Sequence, residues 1–477
     1  MPQLATSEAV AVIGAGTMGA GIAQVAAQAG HRVFLYDVAA GAARRAIAQL
    51  GAGLAKRVAA KKLDQKACDD IVARLLPVET LAETASATLF VEAVAEEMGI
   101  KRSLFAKLEI LARPDAILAT NTSTLSVTAM AAGLARPERV VGMHFFNPAQ
   151  VMRLVEVIRG LATAPEVVET IDATAQAWGK VTAVARSTPG FIVNRVARPF
   201  YGEALRLREE GVADPATLDA IVTEGGGFRM GPFALMDLIG NDINYRSTCS
   251  VFEAYGSEPR FRPSLLQEEM VEAGWLGRKS GRGFYSYAPG SAMPESQTEA
   301  ASSGRAAPLI SGWEKQPVTL GGVSLLPTDG RRAEDIAREH GHPVAVHDLR
   351  LDDGTPGRRI AVALSPMSAG ERQTVIASLQ AAGSVTILPD WPALVVMRIV
   401  AMLVNEAYEA MLHGIADGAA IDRAMQNGVN YPRGPVAWGA AIGLPRIVAV
   451  LDALHAQTGD PRYRAAMNLR IAARSDG

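Results

Sequence analysis

Cysteine is almost missing, with Cys68 and Cys249 the only two in 477 residues. That excludes a disulfide framework or a thiolate metal site, and it fits a reducing compartment. Charge of one sign is missing as well: the formal net charge is −2 and the pI about 6.4. Neither nucleic acid nor an anionic membrane therefore has an electrostatic claim on the chain as a partner. No stretch reaches the ~18 uncharged apolar residues of a spanning helix. The start, MPQLATSEAV, lacks a basic region followed by an apolar one, so export is not expected either. Of seven histidines only His340, His342 and His347 lie close together, and without cysteines or an Asp/Glu set at ligand spacing no metal is expected. What is there is 49% hydrophobic and 20% charged, enough for about two to four domains with real cores. Cytoplasm is the expected location.

Glycine, by contrast, is placed with purpose. Residues 9–13 read as a short apolar strand that runs into Gly14-Ala15-Gly16-Thr17-Met18-Gly19, and residues 20–29 read as a helix stopped by Gly30. The next strand, 31–36, ends on Asp37. This is G-x-G-x-x-G between strand and helix with an acid 23 residues after the first glycine, the context in which the motif binds a dinucleotide. Gly14 permits the tight turn, Gly16 lets a pyrophosphate approach the helix N-terminus, and Gly19 lets helix and strand pack closely. Asp37 is placed to accept from a ribose 2′-hydroxyl and to repel a 2′-phosphate, which favours NAD over NADP.

Further strands are expected at 89–94, leading through Glu96 into a helix that carries Lys101, and at 116–120, ending at Asn121-Thr122-Ser123. Strands alternating with helices imply a parallel, doubly wound sheet. Ligands sit at the carboxyl ends of such strands, so Glu96, Ser123 and His144 should gather there. Ser123 has a rival role as a helix cap before residues 125–132, which Thr124 or Ser126 fills equally well. A helix at 42–62 ends in Lys56, Arg57, Lys61 and Lys62, either a solvated face or a place for the phosphates of a bulky substrate.

The stretch VGMHFFNPAQVMRLVEVIRG, 141–160, reads as strand, turn, strand. Glu156 is the only charge in the returning apolar run, and a buried carboxylate needs a partner. Facing His144, it would fix the imidazole's tautomer and leave the second nitrogen free as a general base. The alternative is a core histidine satisfied by a backbone carbonyl, with Glu156 on a solvated edge.

After Ser187-Thr188-Pro189-Gly190 the apolar spacing becomes helical, and Asn194 falls in the first turns of the first helix. Arg229, beside a Gly-Pro turn, reads from the residues alone as a solvated cation. Residues 288–312 have a linker's composition. Beyond them RIVAMLVNEAYEAMLHGIADGAAIDRA repeats RVARPFYGEALRLREEGVADPATLDAI at an offset of 203, aligning Arg195 with Arg398, Glu203 with Glu406 and Asp219 with Asp422. Residues 318–387 alternate strands and helices without a Gly-rich motif, so the repeat includes a shortened α/β unit. Met397 replaces Asn194, and no counterpart of His144 and Glu156 is expected. A copy that keeps packing residues and sheds chemistry predicts that the two helical domains meet in an apolar interface.

Together GAGTMGAGIA, NTSTL, GMHFFNP, LVEVI, PGFIVNR, MGPFALMDLIG and GRGFYSY resemble the 3-hydroxyacyl-CoA dehydrogenase family over residues 10–287. The second half is similar to that of the long bacterial members that act on 3-hydroxyadipyl-CoA or 3-hydroxybutyryl-CoA in phenylacetate or fatty acid catabolism. The resemblance implies an NAD-dependent oxidation of L-3-hydroxyacyl-CoA to 3-oxoacyl-CoA in a homo-oligomer. It implies His144 as base, Glu156 as its orienting carboxylate, and Ser123 and Asn194 as polar groups about substrate and nicotinamide. For NAD it implies Gly14, Ala15, Gly16, Thr17, Met18, Gly19 and Asp37, with Glu96, Lys101 and Asn147 by analogy. The expected architecture is an α/β Rossmann-type doubly wound domain at 1–187 and an all-α 3-hydroxyacyl-CoA dehydrogenase C-terminal domain at 188–288. A linker at 289–314 then leads to a degenerate repeat of both: a reduced Rossmann-like unit at 315–389 and a second helical domain at 390–477. The rivals are a β-hydroxyacid dehydrogenase of another class, which would use a lysine base, and a non-catalytic NAD-binding structural protein on the same scaffold.

Overall fold

Eight short apolar runs form the first sheet: β1 (Val10–Ile13), β2 (Val33–Tyr36), β3 (Leu75–Val78), β4 (Leu89–Glu92), β5 (Ile117–Thr120), β6 (Val140–Phe145), β7 (Leu154–Arg159) and β8 (Val181–Arg186). A computed structural model describes residues 3–309, 314–350 and 357–475. The strand order is β3-β2-β1-β4-β5-β6-β7-β8, parallel throughout except for β6 against β7. β1, β4 and β5 are buried along their whole length, as in sheets covered on both faces. The order reverses between β1 and β4, and this switch point opens the crevice in which such sheets bind ligands. β3 escapes the sequence pattern because Pro77 interrupts it. It is an edge strand, where a missing N–H costs no ladder bond.

The chain divides into two compact units, one running to Val193 and including Gly414–Val429, the other comprising the rest from Asn194 onward. The helix Gly418–Gly428 lies inside the span that sequence assigns to the second helical domain, yet it packs on β7 and β8 of the first unit. Asp417 caps it by accepting from the Ala420 amide at 2.7 Å.

In the second unit β9 (Val318–Leu320), β10 (Val323–Pro327), β11 (Val344–His347), β12 (Gly357–Leu364) and β13 (Gly383–Ile387) form a sheet in the order β13-β12-β11-β10-β9. From β10 to β13 the pairings run parallel, antiparallel, parallel, as they do from β5 to β8. The copy has thus kept the second half of the doubly wound sheet and lost the half that carries the Gly-rich turn. The linker expected at 289–314 is strapped down over its described part: the Glu299 amide donates to Val385 O at 2.7 Å, and Arg359 donates to Gln297 O at 2.7 Å and to Thr298 and Ser296. Residues 310–313 lie outside the described residues.

The core of this unit is the helix Val396–Leu412, buried almost all round, against which Arg198–Glu209 packs. The expectation of an apolar interface between the helical repeats needs correcting here. Arg195 Nε donates to Glu406 Oε1, and Arg398 Nε donates to Glu203 Oε2 at 2.8 Å, all four side chains fully buried. Each copy's arginine takes the other copy's glutamate. Burial penalises the Glu203 carboxylate, but Arg206 and Arg398, with hydrogen bonds from Arg398 and Tyr463, outweigh it and hold its pKa below the ordinary range. Among the described residues no single helix is long and apolar enough to cross a membrane.

Leaving one member of a buried ion pair alone costs about 3–5 kcal/mol, whereas replacing both by apolar groups is often neutral. Arg398→Met should therefore lower the stability of the chain by about that amount in urea unfolding. Arg398→Met combined with Glu203→Leu should recover only part of the loss, because Arg206 and Glu210 then lose their own partners.

Candidate active site

The β1–helix turn supplies one side of the site. Gly14 has φ +109°, and a Cβ there would lie 2.4 Å from Ala93 O, so only glycine makes the turn. A Cβ on Gly19 would lie 1.8 Å from Gly14 O. At Gly16 nothing stands within 4 Å of a Cβ: the protein itself does not demand glycine there, and the open space lies over the N-terminus of the helix Thr17–Gln28. First-turn amides without intrahelical partners point into such a space and suit a pyrophosphate. Asp37, one residue past β2, accepts from the Ala15 amide at 2.7 Å and the Ala39 amide at 2.9 Å. It both fixes the Gly-rich turn and keeps a carboxylate at its rim. These residues fit a dinucleotide.

Beyond β4, Glu96 gathers the NTS segment. Its Oε1 accepts from Thr122 Oγ1, the Ser123 amide at 3.0 Å and the Thr124 amide at 3.3 Å, while Lys101 Nζ is 3.1 Å from Oε2. Burial works against this carboxylate, but the Lys101 charge and the hydrogen bonds from Thr122, Lys101 and Ser123 hold its pKa below the glutamate range. Lys101 is only 1% exposed, and its ammonium is also 2.6 Å from Glu92. Its visible work is to hold Glu92 and Glu96. Sequence reasoning passed over Glu92, a charge at the end of an apolar strand, the same signal that drew notice at Glu156. Ser126, not Ser123, caps the helix Val127–Ala131. Asn121 accepts from the Phe145 amide at 2.8 Å, tying the end of β6 to the NTS turn.

His144 and Glu156 sit directly opposite each other across the antiparallel β6–β7 pair, so their side chains share a face. His144 Nδ1 is 2.7 Å from Glu156 Oε2. Glu156 is fully buried, and its other oxygen accepts from the Ile192 and Val193 amides, both at 3.0 Å. Those amides are aimed by a kink in which Gly190 (φ +75°) and Phe191 (φ +46°) are both left-handed, a strained state for phenylalanine. The imidazole is flanked by Phe146, with centroids 4.5 Å apart, and by Phe191 at 5.8 Å. With Nδ1–H given to the carboxylate, Nε2 is the nitrogen left to take a proton. Asn147 is exposed on the β6–β7 loop, which Lys180 pins by donating to Ala149 O at 2.6 Å and Met152 O at 2.8 Å. Asn194 is half-buried in the short helix Val193–Val196, at the start of the second unit.

The second copy keeps a histidine in the place of His144 but not the pair, since Val362, not a carboxylate, lies opposite it across the ladder. His347 ends β11 at the offset of 203 from His144, and the Asp348 carboxylate accepts from the Val395 amide at 3.0 Å and the Val396 amide at 2.7 Å. Those are the positions 203 beyond Ile192 and Val193. There, however, His347 Nδ1 is satisfied by Asp348 O at 2.9 Å, a core histidine on a backbone carbonyl. Burial pushes the Asp348 carboxyl up to about 6 despite the amides that surround it.

Fold and site define the class: a dinucleotide-binding α/β protein that carries a buried histidine–carboxylate pair. The description "3-hydroxyacyl-CoA dehydrogenase, NAD binding domain" matches residues 9–188, and the family's C-terminal domain matches 190–287 and 394–475. A "3-hydroxybutyryl-CoA dehydrogenase reduced Rossmann-fold domain" matches 325–392. The chain is 45% identical to a 3-hydroxyadipyl-CoA dehydrogenase of Escherichia coli over 97% of each chain. It superposes on the crystal structure of a 3-hydroxybutyryl-CoA dehydrogenase from Escherichia coli with a TM-score of 0.94 and 43% identity, covering 99% of both. A (S)-3-hydroxybutyryl-CoA dehydrogenase from Ralstonia eutropha matches 59% of this chain and 99% of its own at 35% identity and a TM-score of 0.57. The chain belongs to the 3-hydroxyacyl-CoA dehydrogenase family, whose members are NAD-dependent oxidoreductases.

Asp37→Ser removes the carboxylate that opposes a 2′-phosphate. The ratio of kcat/KM with NADH to that with NADPH should fall by at least about tenfold in this variant, measured under identical conditions.

Proposed function

We propose that this chain oxidises an L-3-hydroxyacyl-CoA to the 3-oxoacyl-CoA with NAD, and that its substrate is 3-hydroxyadipyl-CoA or 3-hydroxybutyryl-CoA. The observation that carries the proposal is the 2.7 Å contact between His144 Nδ1 and Glu156, which leaves Nε2 as the base. His144 Nε2 takes the proton of the 3-hydroxyl, and Glu156 stabilises the imidazolium as it forms. NAD, when bound, accepts the hydride from C3. Ser123 and Asn194 supply polar groups to the substrate. The turn from Gly14 through Ala15, Gly16, Thr17 and Met18 to Gly19, with Asp37, Glu96 and Asn147, holds the cofactor. Lys101 acts through Glu96, since its ammonium is held between Glu92 and Glu96. The exposed Lys56, Arg57, Lys61 and Lys62 suit the phosphates of CoA.

The proposed domains are residues 1–187, 188–288, 315–389 and 390–477, joined by 289–314. The enzyme is placed in the cytoplasm, as a homo-oligomer without nucleic acid or membrane partners, in fatty acid or phenylacetate catabolism. A lysine-based dehydrogenase and a non-catalytic scaffold protein are both less consistent with a histidine held by a buried carboxylate.

Acetoacetyl-CoA and NADH should give a fall in absorbance at the nicotinamide band. His144→Gln should lower kcat about 10²–10⁴-fold, the usual contribution of a positioned base, while NADH binding persists. Near-normal turnover in that variant would refute the assignment. For chain specificity, Arg229 is exposed, with Nη1 3.5 Å from Asn430 Oδ1. Arg229→Met should lower kcat/KM at least about tenfold for the adipyl substrate and leave the butyryl substrate unaffected. An equal loss for both removes Arg229 from the distal-carboxylate role.

A further inference from the structure

The first unit is finished by sixteen residues from far along the chain, Gly414–Val429. The Arg186 amide donates to Ile415 O at 2.9 Å, which extends the edge of β8. The helix that follows, Gly418–Gly428, buries Ala420, Ile421, Ala424, Met425 and Gly428, a stripe at helical spacing with small residues every fourth position. It reaches the sheet closely and ends at Gly428.

A side chain at Gly428 would make its neighbours shift. A Cβ there would lie 2.7 Å from Leu154 Cδ2, 3.1 Å from Val193 Cγ2 and 3.7 Å from Phe146 Cε1. Each of these neighbours is one step from the histidine–carboxylate pair. Leu154 precedes Glu156 by two residues on β7 and points to the same side of the strand. Val193 gives its amide to Glu156 Oε1 at 3.0 Å. Phe146 packs on the His144 ring. One glycine therefore backs the strand that carries the carboxylate, the amide that holds the carboxylate and the ring that flanks the base.

We infer that the degenerate second half is a working part of the active site: its helix Gly418–Gly428 positions His144 and Glu156 through the close contact at Gly428. The inference rests on the assignment of His144 as base. Gly428 is a positioning residue, because it touches neither the base nor any reacting atom. Close-packed neighbours cannot absorb an added methyl without moving, and a misplacement of about 1 Å at a catalytic group can cost about 10²-fold.

The test uses the full-length chain with Gly428→Ala and Gly428→Val, and with Gln426→Ala, exposed on the same helix, as a control. Activity is expressed per folded enzyme from a titration with NADH, so loss of stability alone does not register. We expect kcat to fall about tenfold in the alanine variant and further in the valine variant, with the Kd for NADH within twofold of wild type. Gln426→Ala should match wild type. Leu154→Val removes the atoms closest to the added methyl, so combined with Gly428→Ala it should restore at least half of the lost kcat. Should the valine variant prove insoluble, the alanine variant and its rescue decide. Unchanged kcat in folded Gly428→Ala overturns the inference, as does a loss that Leu154→Val leaves untouched. His144→Gln measured in parallel separates the two ideas: its full activity would sink the base assignment, whereas its inactivity beside fully active Gly428 variants would sink this inference alone.

Discussion

Glu156 is the constraint on which the first unit's chemistry depends. A carboxylate with no exposed surface must be fully hydrogen-bonded or it destabilises the fold by several kcal/mol. It is satisfied by the His144 ring and by two consecutive backbone amides. Meeting that requirement places the imidazole, and it also fixes the path by which the chain leaves the sheet. The amides converge on one oxygen only because Gly190 and Phe191 are both left-handed, so the strain at Phe191 is balanced by the charge it helps to bury. The stability of the fold and the proposed base draw on the same three hydrogen bonds.

The second copy shows which part of this arrangement the fold needs and which part the chemistry needs. Ala393 (φ +59°) and Leu394 (φ +57°) repeat the left-handed kink 203 residues on, although alanine has replaced the glycine. A buried carboxylate again receives the amides, now from Asp348 at the end of its own strand. The carboxylate has moved from the facing strand to the residue after the histidine, Val362 stands across the ladder, and His347 bonds to a backbone carbonyl. The carboxylate-and-kink junction therefore belongs to the architecture of a sheet that hands over to a helix. What marks the first copy as chemical is the length of the glutamate and its place across the ladder from the imidazole.

Much of this was legible in the residues. The Gly-rich turn, Asp37, the facing His144 and Glu156, and the repeat at 203 all rest on local spacing that a strand or helix converts directly into geometry. What was hidden depends on contacts at long range. The crossed pairs Arg195–Glu406 and Arg398–Glu203 were visible as identities between the copies, but nothing in one sequence says that each arginine takes the other copy's glutamate. Pro77 masks the β3 strand, and the linker's Ser- and Gly-rich composition conceals a backbone bond from Glu299 to β13. His347 lies close to His340 and His342 in sequence, and that proximity obscures its offset of 203 from His144.

The retained copy also accounts for its own loss of chemistry. Its Gly418–Gly428 helix is a structural member of the first unit, while in the second unit the segment Ile221–Gly225 packs on β12. These segments lie 203 residues apart, and both end in a glycine, Gly428 and Gly225, where a Cβ would crowd the sheet. Selection on the second half can then act through packing alone. A close contact can retain a packing residue, whereas a Gly-rich turn with no cofactor to bind has no such hold. Among the described residues the strands β1 to β4 have no counterparts in the second sheet, and β5 to β8 do. The division falls where packing and ligand binding separate: the strands that build the switch point have gone, and those that receive the crossing helix remain.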